Sequence, residues 1–554
     1  MKGKSITEIS NRIEEIALDL TSQKSIAGSA GEIKIADKLY GIMAEMDYYK
    51  KHPENLYFVP VKNDSLGRKI VIAEMNGEMK KSAKTVVLIG HIDTVGISDY
   101  GSLQEYAIQP YELAKRLGDL KLPPEVREDL ESGEYLFGRG LFDMKSGDAI
   151  SMAIMEYISK DIENFEGNII FGAVCDEENN SIGMLNFVPK LNELKKEKGY
   201  NYLAMIDTDY MAPAYPGDLN KYVYVGTVGK IMPTFFVVGK ETHVGEPYDG
   251  IDPNQIVAQL TKRINLNPEF CDFAGGETTL PPITLKQRDL KPEYSAQIAK
   301  TSILLFNMAT HEMTPDQVLE KMTIVGQECF QQVVDELNAR YKKYCELIGR
   351  KHKQLPWVAR TMTYDELYAN VKNELGDKLD GMIEDYLLGL NKDSSLDIRD
   401  KQVKMAEYLH NLWSDQNPVV IVYFSAPYYP HIYVEGKRDK EKLLISAVTD
   451  AIAATAPNYD YKLVQKKFLP CISDLSYAAA PKEQAVVTKL KINTPGYGVI
   501  YELPIEDMQE LDLPVVNIGA FGKDAHKYTE RIEKKYTFQV TPDLVYKTIK
   551  NILK

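Results

Sequence analysis

With 554 residues, 44% of them hydrophobic, the chain is too long for one ordinary core and too apolar to be disordered. Its 80 acidic against 66 basic residues give a formal charge of -14, which argues against nucleic acid or an anionic membrane as the main partner. Five scattered cysteines without a Cys-x-x-Cys pair read as reduced thiols of a cytoplasmic protein, and no run reaches the roughly 18 apolar residues of a membrane span.

The N-terminal stretch has helical periodicity with glutamates inside it, and lacks the unbroken apolar core of a signal peptide. A second helix follows in "SAGEIKIADKLYGIMAEM". "KIVIAEM", "TVVLIG", "NIIFGAVC" and "YLAMID" then read as short buried strands with helical stretches between the later ones. That alternation predicts an α/β domain on a mainly parallel sheet flanked by helices. From about residue 222 the order becomes strand, strand, helix, strand, strand, long helix, which describes a separate α+β unit. "KYVYVGTVGKIMPTFFVVG" supplies its first two strands as an antiparallel pair. Residues 350–415 are charged and helical and extend that unit. "NPVVIVYFSAP", "HIYVEG" and "LPVVNIGAFG" return to strand character. The expected domains are 1–221 and 416–554 for one α/β domain, with 222–415 inserted into it.

Chemistry-bearing side chains recur just beyond the apolar strands or among glycines. "TVVLIGHIDTVG" ends in His91 and Asp93, and "GRGLFDMKSG" carries Asp143. "FGAVCDEENNSIG" carries Glu177 and Glu178, "YLAMIDTDY" carries Asp207 and Asp209, and "GAFGKDAHKYTERI" carries His526. Ligands of open α/β sheets gather at the strand carboxyl ends. Singly, each segment has a structural explanation. Together, two histidines and several carboxylates at strand ends suit Zn²⁺, which takes imidazole nitrogen and carboxylate oxygen, and the number of donors favours two ions over one.

In order and spacing these motifs resemble the di-zinc amidohydrolases that include acetylornithine deacetylase, succinyl-diaminopimelate desuccinylase, aminoacylase, carboxypeptidase G and peptidase T. "ISDYGSLQEYA", "GKETHVGEP" and "FLPCISDLSYAA" are most similar to the arginine-utilisation branch. The resemblance implies a zinc-exopeptidase-like catalytic domain with an inserted lid, and two Zn²⁺ per chain, with Co²⁺ or Mn²⁺ as alternatives. It makes His91 and His526 ligands of separate ions, Asp143 the bridge, Glu178 a ligand and Glu177 the general base. Asp93 becomes the residue orienting His91. The remaining ligand is Asp207, on a gap-free match to the family strand, or Asp209. His243, in "GKETHVGEPYDGIDPN", becomes the oxyanion-stabilising lid histidine. Asn254 lies near the position of the family's lid asparagine, or caps the helix after Pro253.

The lid stretch "LLFNMATHEMTPDQV" lacks the arginine that grips a substrate carboxylate in relatives, which leaves Arg288 or one of the many lysines to take its place. The expected activity is hydrolysis of an amide or peptide bond in a small molecule or short peptide, in a cytoplasmic homodimer formed through the lid. The alternatives are a single-metal, aminopeptidase-like enzyme and a non-catalytic small-molecule-binding or regulatory protein on the same scaffold.

Overall fold

The computed structural model describes residues 9–554 and divides into two units. The first comprises the residues up to Thr227 with Ile432–Ala480 and Pro504–Lys554; the second comprises Val228–His431 and Pro481–Leu503.

An eight-stranded sheet runs through the first unit. Its order is Leu56–Pro60, Lys69–Asn76, Asn168–Val174, Lys84–His91, Asn201–Asp207, Val515–Asn517, Lys221–Tyr224 and Leu463–Lys466. The four central strands, from Asn168–Val174 to Val515–Asn517, are mutually parallel. Asn168–Val174 is buried throughout, and Lys84–His91 everywhere but its first residue, as expected of strands covered on both faces. Their register aligns His91 with Val174, and Asp207 with both Ile89 and Asn517. The parallel core therefore delivers its carboxyl ends to one edge.

Two glycines let helices close on the two faces. A Cβ on Gly90 would lie 2.2 Å from Asp148 Oδ1 in the helix Ser146–Ser159, and one on Gly172 would lie 2.4 Å from the Phe187 ring in the helix Ile182–Lys198. Neighbouring strands place Gly90 beside Ala173 and Gly172 beside Ile89, so these two helices cover opposite faces.

The second unit is built on a five-stranded sheet ordered Ile283–Asp289, Thr301–Thr310, Gly229–Val238, Val419–Tyr429, Thr361–Thr363. The helices Pro253–Ile264 and Pro315–Leu347 pack on it and on each other. The helices Tyr364–Leu375, Lys378–Asn391 and Ile398–Leu412 share a core with Phe236, Val238, Val419, Ile421 and Tyr423. Those five positions alternate along their strands, so they line one face of the sheet, and the charged helical stretch exists to cover it.

Three expectations are corrected. Residues 221–224 and 229–238 do not form a hairpin: the first belongs to the eight-stranded sheet and the second to the five-stranded one. The strand in "NPVVIVYFSAP" does not return to the first unit. Val419–Tyr429 pairs antiparallel with Gly229–Val238, so the boundary falls at His431 instead of 415. Residues 481–503, assigned above to the first unit, belong to the second. A wholly apolar strand suits the interior of either sheet, and its own pattern does not choose between them.

Burial, reinforced by the charges of Lys300 and Arg360, lowers the pKa of His410 from 6.5 to about 4. The unfolded chain therefore binds more protons than the folded one between those values. The His410 contribution to stability is full above pH 6.5 and is lost as pH falls toward 4. Thermal melts of His410→Phe against the parent protein across this window should show a shallower pH dependence for the variant; parallel curves would remove His410 from the acid response.

Candidate active site

Asp143 lies between two histidines. His91 Nε2 is 3.0 Å from its Oδ1, and His526 Nε2 is 2.9 Å from its Oδ2. His91 is the last residue of its strand, Asp143 lies in the turn before the helix Ser146–Ser159, and His526 follows the strand Gly522–Lys523. Three segments far apart in sequence thus meet on one carboxylate. Burial alone would lift the Asp143 pKa, yet hydrogen bonds from His526 and His91 hold it below the usual carboxylate range. Those same contacts raise His526 to about 10 and, against the penalty of burial, His91 well above its usual value.

The donor atoms form two groups that share Asp143. One is His91, Asp143 and Asp209; the other is Asp143, Glu178 and His526, with the donor atoms of each group within 4.8 Å of one another. Glu178 Oε1 is buried and lies 3.2 Å from His526 Nε2 without a well-directed hydrogen bond. Glu177 Oε2 stands 4.0 Å from His91 Nε2 and belongs to neither group.

Asp207, the preferred ligand from sequence, is in neither group. Its Oδ2 accepts from Ser473 Oγ at 2.8 Å and its Oδ1 from the Asp209 backbone N–H at 3.1 Å. These two bonds hold the strand end. Asp209, two residues on, is the acid grouped with His91 and Asp143.

The part expected of Asp93 also changes. Its carboxylate accepts from the backbone N–H of Glu177 and of Glu178, each at 3.1 Å, and so fixes the acidic loop. His91 Nδ1 lies closer to the Asp93 carbonyl oxygen, at 3.2 Å, than to its carboxylate, at 3.8 Å. The carbonyl sets the His91 tautomer, leaving Nε2 for the cluster.

His243 and Asn254 lie in the second unit. His243 is exposed, and its Nδ1 accepts from Gly245 N at 3.1 Å, which puts its proton on Nε2. Asn254 does not cap its helix: Asp252 does, accepting from Asn254 N at 2.9 Å, while Asn254 Oδ1 accepts from Ser302 Oγ. Arg288, the suggested replacement for the missing carboxylate-binding arginine, is paired with Asp400 at 2.9 Å.

Sequence reasoning passed over the residues that brace the cluster. Glu530 accepts from Gly140 N and Phe142 N and pairs with Arg139, whose other end meets Asp99 at 2.8 Å. This buried pair ties the Asp143 turn to the His526 segment. Asp524 receives Arg531 and Thr529 and pins the loop in which His526 adopts a φ of 65°. Arg139 and Glu530 stand inside the quoted motifs and could have been found there. Gly519 also went unnoticed: a Cβ there would lie 1.4 Å from the Asp209 carbonyl oxygen.

The donor chemistry fits metal. Glu177, Asp209 and Asp474 are pushed well above the usual carboxylate pKa by burial and by the charges of neighbouring acids, and burial lifts Asp93 to about 7 and Asp207 to about 6. So many acids in a low-dielectric site call for cations.

A family model described as peptidase family M20/M25/M40 matches residues 87–549. The chain belongs to this family. Protein RocB of Bacillus subtilis (strain 168) is 33% identical over 542 residues, covering 98% of this chain and 95% of that protein. Uncharacterized protein YqjN of the same organism is 33% identical over 538 residues, covering 97% and 95%. Among solved structures, a tripeptidase from Staphylococcus aureus subsp. aureus mu50 matches with 14% identity and a TM-score of 0.52, covering 98% of each chain. The M20 family metallo-carboxypeptidase Sso-CP2 from Sulfolobus solfataricus matches with 10% identity and a TM-score of 0.51, covering 98% and 99%. Those two establish the shared fold. Membership makes the chain a metal-dependent hydrolase of the peptidase class. Among the described residues, no helix is long and apolar enough to cross a membrane.

Metal analysis of two variants separates the neighbouring acids. Asp209→Asn should lose about one ion per chain and Asp207→Asn should keep the parent content; the opposite pattern would restore Asp207 as the ligand.

Proposed function

We propose that this chain is a two-metal hydrolase that cleaves an amide or peptide bond in a small substrate such as an N-acyl amino acid or short peptide. The observation that carries this reading is Asp143, shared between His91 and His526 and common to both donor groups. His91, Asp143 and Asp209 would hold one ion, and Asp143, Glu178 and His526 the other. Zn²⁺ suits this mixture of imidazole and carboxylate, and Co²⁺ and Mn²⁺ accept the same donors. When bound, the ions supply Lewis acidity toward a carbonyl and acidify water at the site.

The chain's own residues do the rest. Glu177, held by the Asp93 grip on its backbone, takes the proton from the attacking water and passes it to the leaving nitrogen. Leaving Glu177 out of both donor groups keeps its carboxylate available for that transfer. Asp93 and Asp207 act without touching substrate, by fixing the acidic loop and the strand end. The Nε2 proton of His243 is suited to donate to the tetrahedral oxyanion. The second unit would also carry a homodimer contact: Ile283 and Leu285, on the edge strand of its sheet, and Leu280 beside it are all exposed.

The link to arginine utilisation rests on likeness to the RocB sequence. The lid stretch that would carry a carboxylate-binding arginine has none, and Arg288 is already paired with Asp400.

Turnover of a panel of N-acyl amino acids, dipeptides and their carboxyl-blocked amides, measured with metal content on the same sample, tests this reading. Glu177→Gln should lower kcat by about 10²–10⁴-fold with the metal retained. Retained turnover would remove Glu177 from the chemistry. His243→Ala should lower kcat by roughly 10²–10³-fold at unchanged metal content; an unchanged kcat would return His243 to a surface role.

A further inference from the structure

Arg68 stands outside every motif named so far, yet its guanidinium is buried among three carboxylates. Its Nε and Nη2 meet Asp64, with Nη2 at 3.0 Å from Oδ1. Its Nη1 reaches both Glu32 Oε2, at 3.0 Å, and Asp176 Oδ1, at 2.6 Å. Glu32 is fixed in turn by Gly28 N at 2.7 Å. A buried cation satisfied on each side is a fixed point in the fold.

What it fixes is the root of the acidic loop. Asp176 immediately precedes Glu177 and takes a φ of 69°, a left-handed conformation uncommon for a residue with a side chain. In that conformation its carbonyl oxygen accepts from the N–H groups of Asn179, Asn180 and Ser181, closing the loop into a tight turn. The same turn points the N–H groups of Glu177 and Glu178 at Asp93. The acid pair is therefore clamped twice, by Asp93 through its backbone and by Arg68 through Asp176. His91, Asp143 and Asp209 are carried by other segments, and His91 is joined to this loop through Asp93.

We propose that Arg68 is a positioning residue that holds Glu177 and Glu178 in register with the cluster, a role that rests on the two-metal reading above. Its loss loosens one donor group and spares the other. The group with Glu178 weakens, and the group of His91, Asp143 and Asp209 keeps its affinity. A general loss of stability would weaken both together.

The test is titration of metal-free protein with Co²⁺, followed by absorption and calorimetry, on the parent, Arg68→Gln and Arg68→Lys. The parent should bind two ions per chain. In Arg68→Gln one of the two should weaken by roughly 10–100-fold while the other shifts less than about threefold. Arg68→Lys, which keeps the charge but not the planar fork, should fall between. Adding Glu178→Gln to Arg68→Gln should cause little further loss at the weakened site, which identifies it. Equal weakening of both sites, or none of either, overturns the assignment of Arg68 while leaving the two-metal reading standing. A parent protein that binds no Co²⁺ overturns both.

Discussion

One shared carboxylate organises the site. Asp143 faces His91 and His526 through separate oxygens at about the same distance, so neither histidine can move without disturbing the other's partner. The three residues come from a strand end, a turn into a helix and a loop almost 400 positions later in the chain. Their convergence requires the parallel core to be in register first, because His91 reaches Asp143 only from the end of its own strand. The closeness of helix and strand at Gly90 then decides how near the turn carrying Asp143 approaches.

A cluster this acidic resists assembly, since each added carboxylate raises the cost of ionising its neighbours. The structure answers with fixed cations placed one layer out. Arg139 braces Glu530, whose carboxylate takes two backbone N–H groups of the Asp143 turn. Arg531 holds Asp524 at the root of the His526 loop, and Arg68 holds Asp176 at the root of the acidic loop. Each arginine grips a carboxylate beside the cluster and not in it. The arrangement fixes geometry without filling the places a metal would take.

The sequence made the donor set legible because strand-end position, glycine-rich turns and residue type all pointed the same way. Between Asp207 and Asp209 sequence and structure lean different ways. Motif alignment weighs position along the strand, while the structure places Asp209 with His91 and Asp143 and binds Asp207 to Ser473 and the Asp209 N–H. Ser473 lies 266 residues away, and no local pattern announces that contact. Arg68 was invisible for a related reason, since its three carboxylate partners are scattered between residues 32 and 176. The fold class followed from the alternation of helices and strands. The limits of the second unit did not, because Val419–Tyr429 is apolar enough for either sheet and only pairing distinguishes them.

The division of labour between the units bears on what the chain can be specific for. Every donor in the two groups, Glu177 and all three bracing arginines belong to the first unit. His243, Asn254 and the helical cover over residues 364–412 belong to the second. Reaction class is thus written in the unit whose geometry is over-determined by buried ion pairs, where substitutions are costly. The exposed loops and edge strand of the second unit are where change is tolerated. A protein 33% identical over its whole length can keep the first in full while altering the second, so shared chemistry between such relatives does not imply a shared substrate.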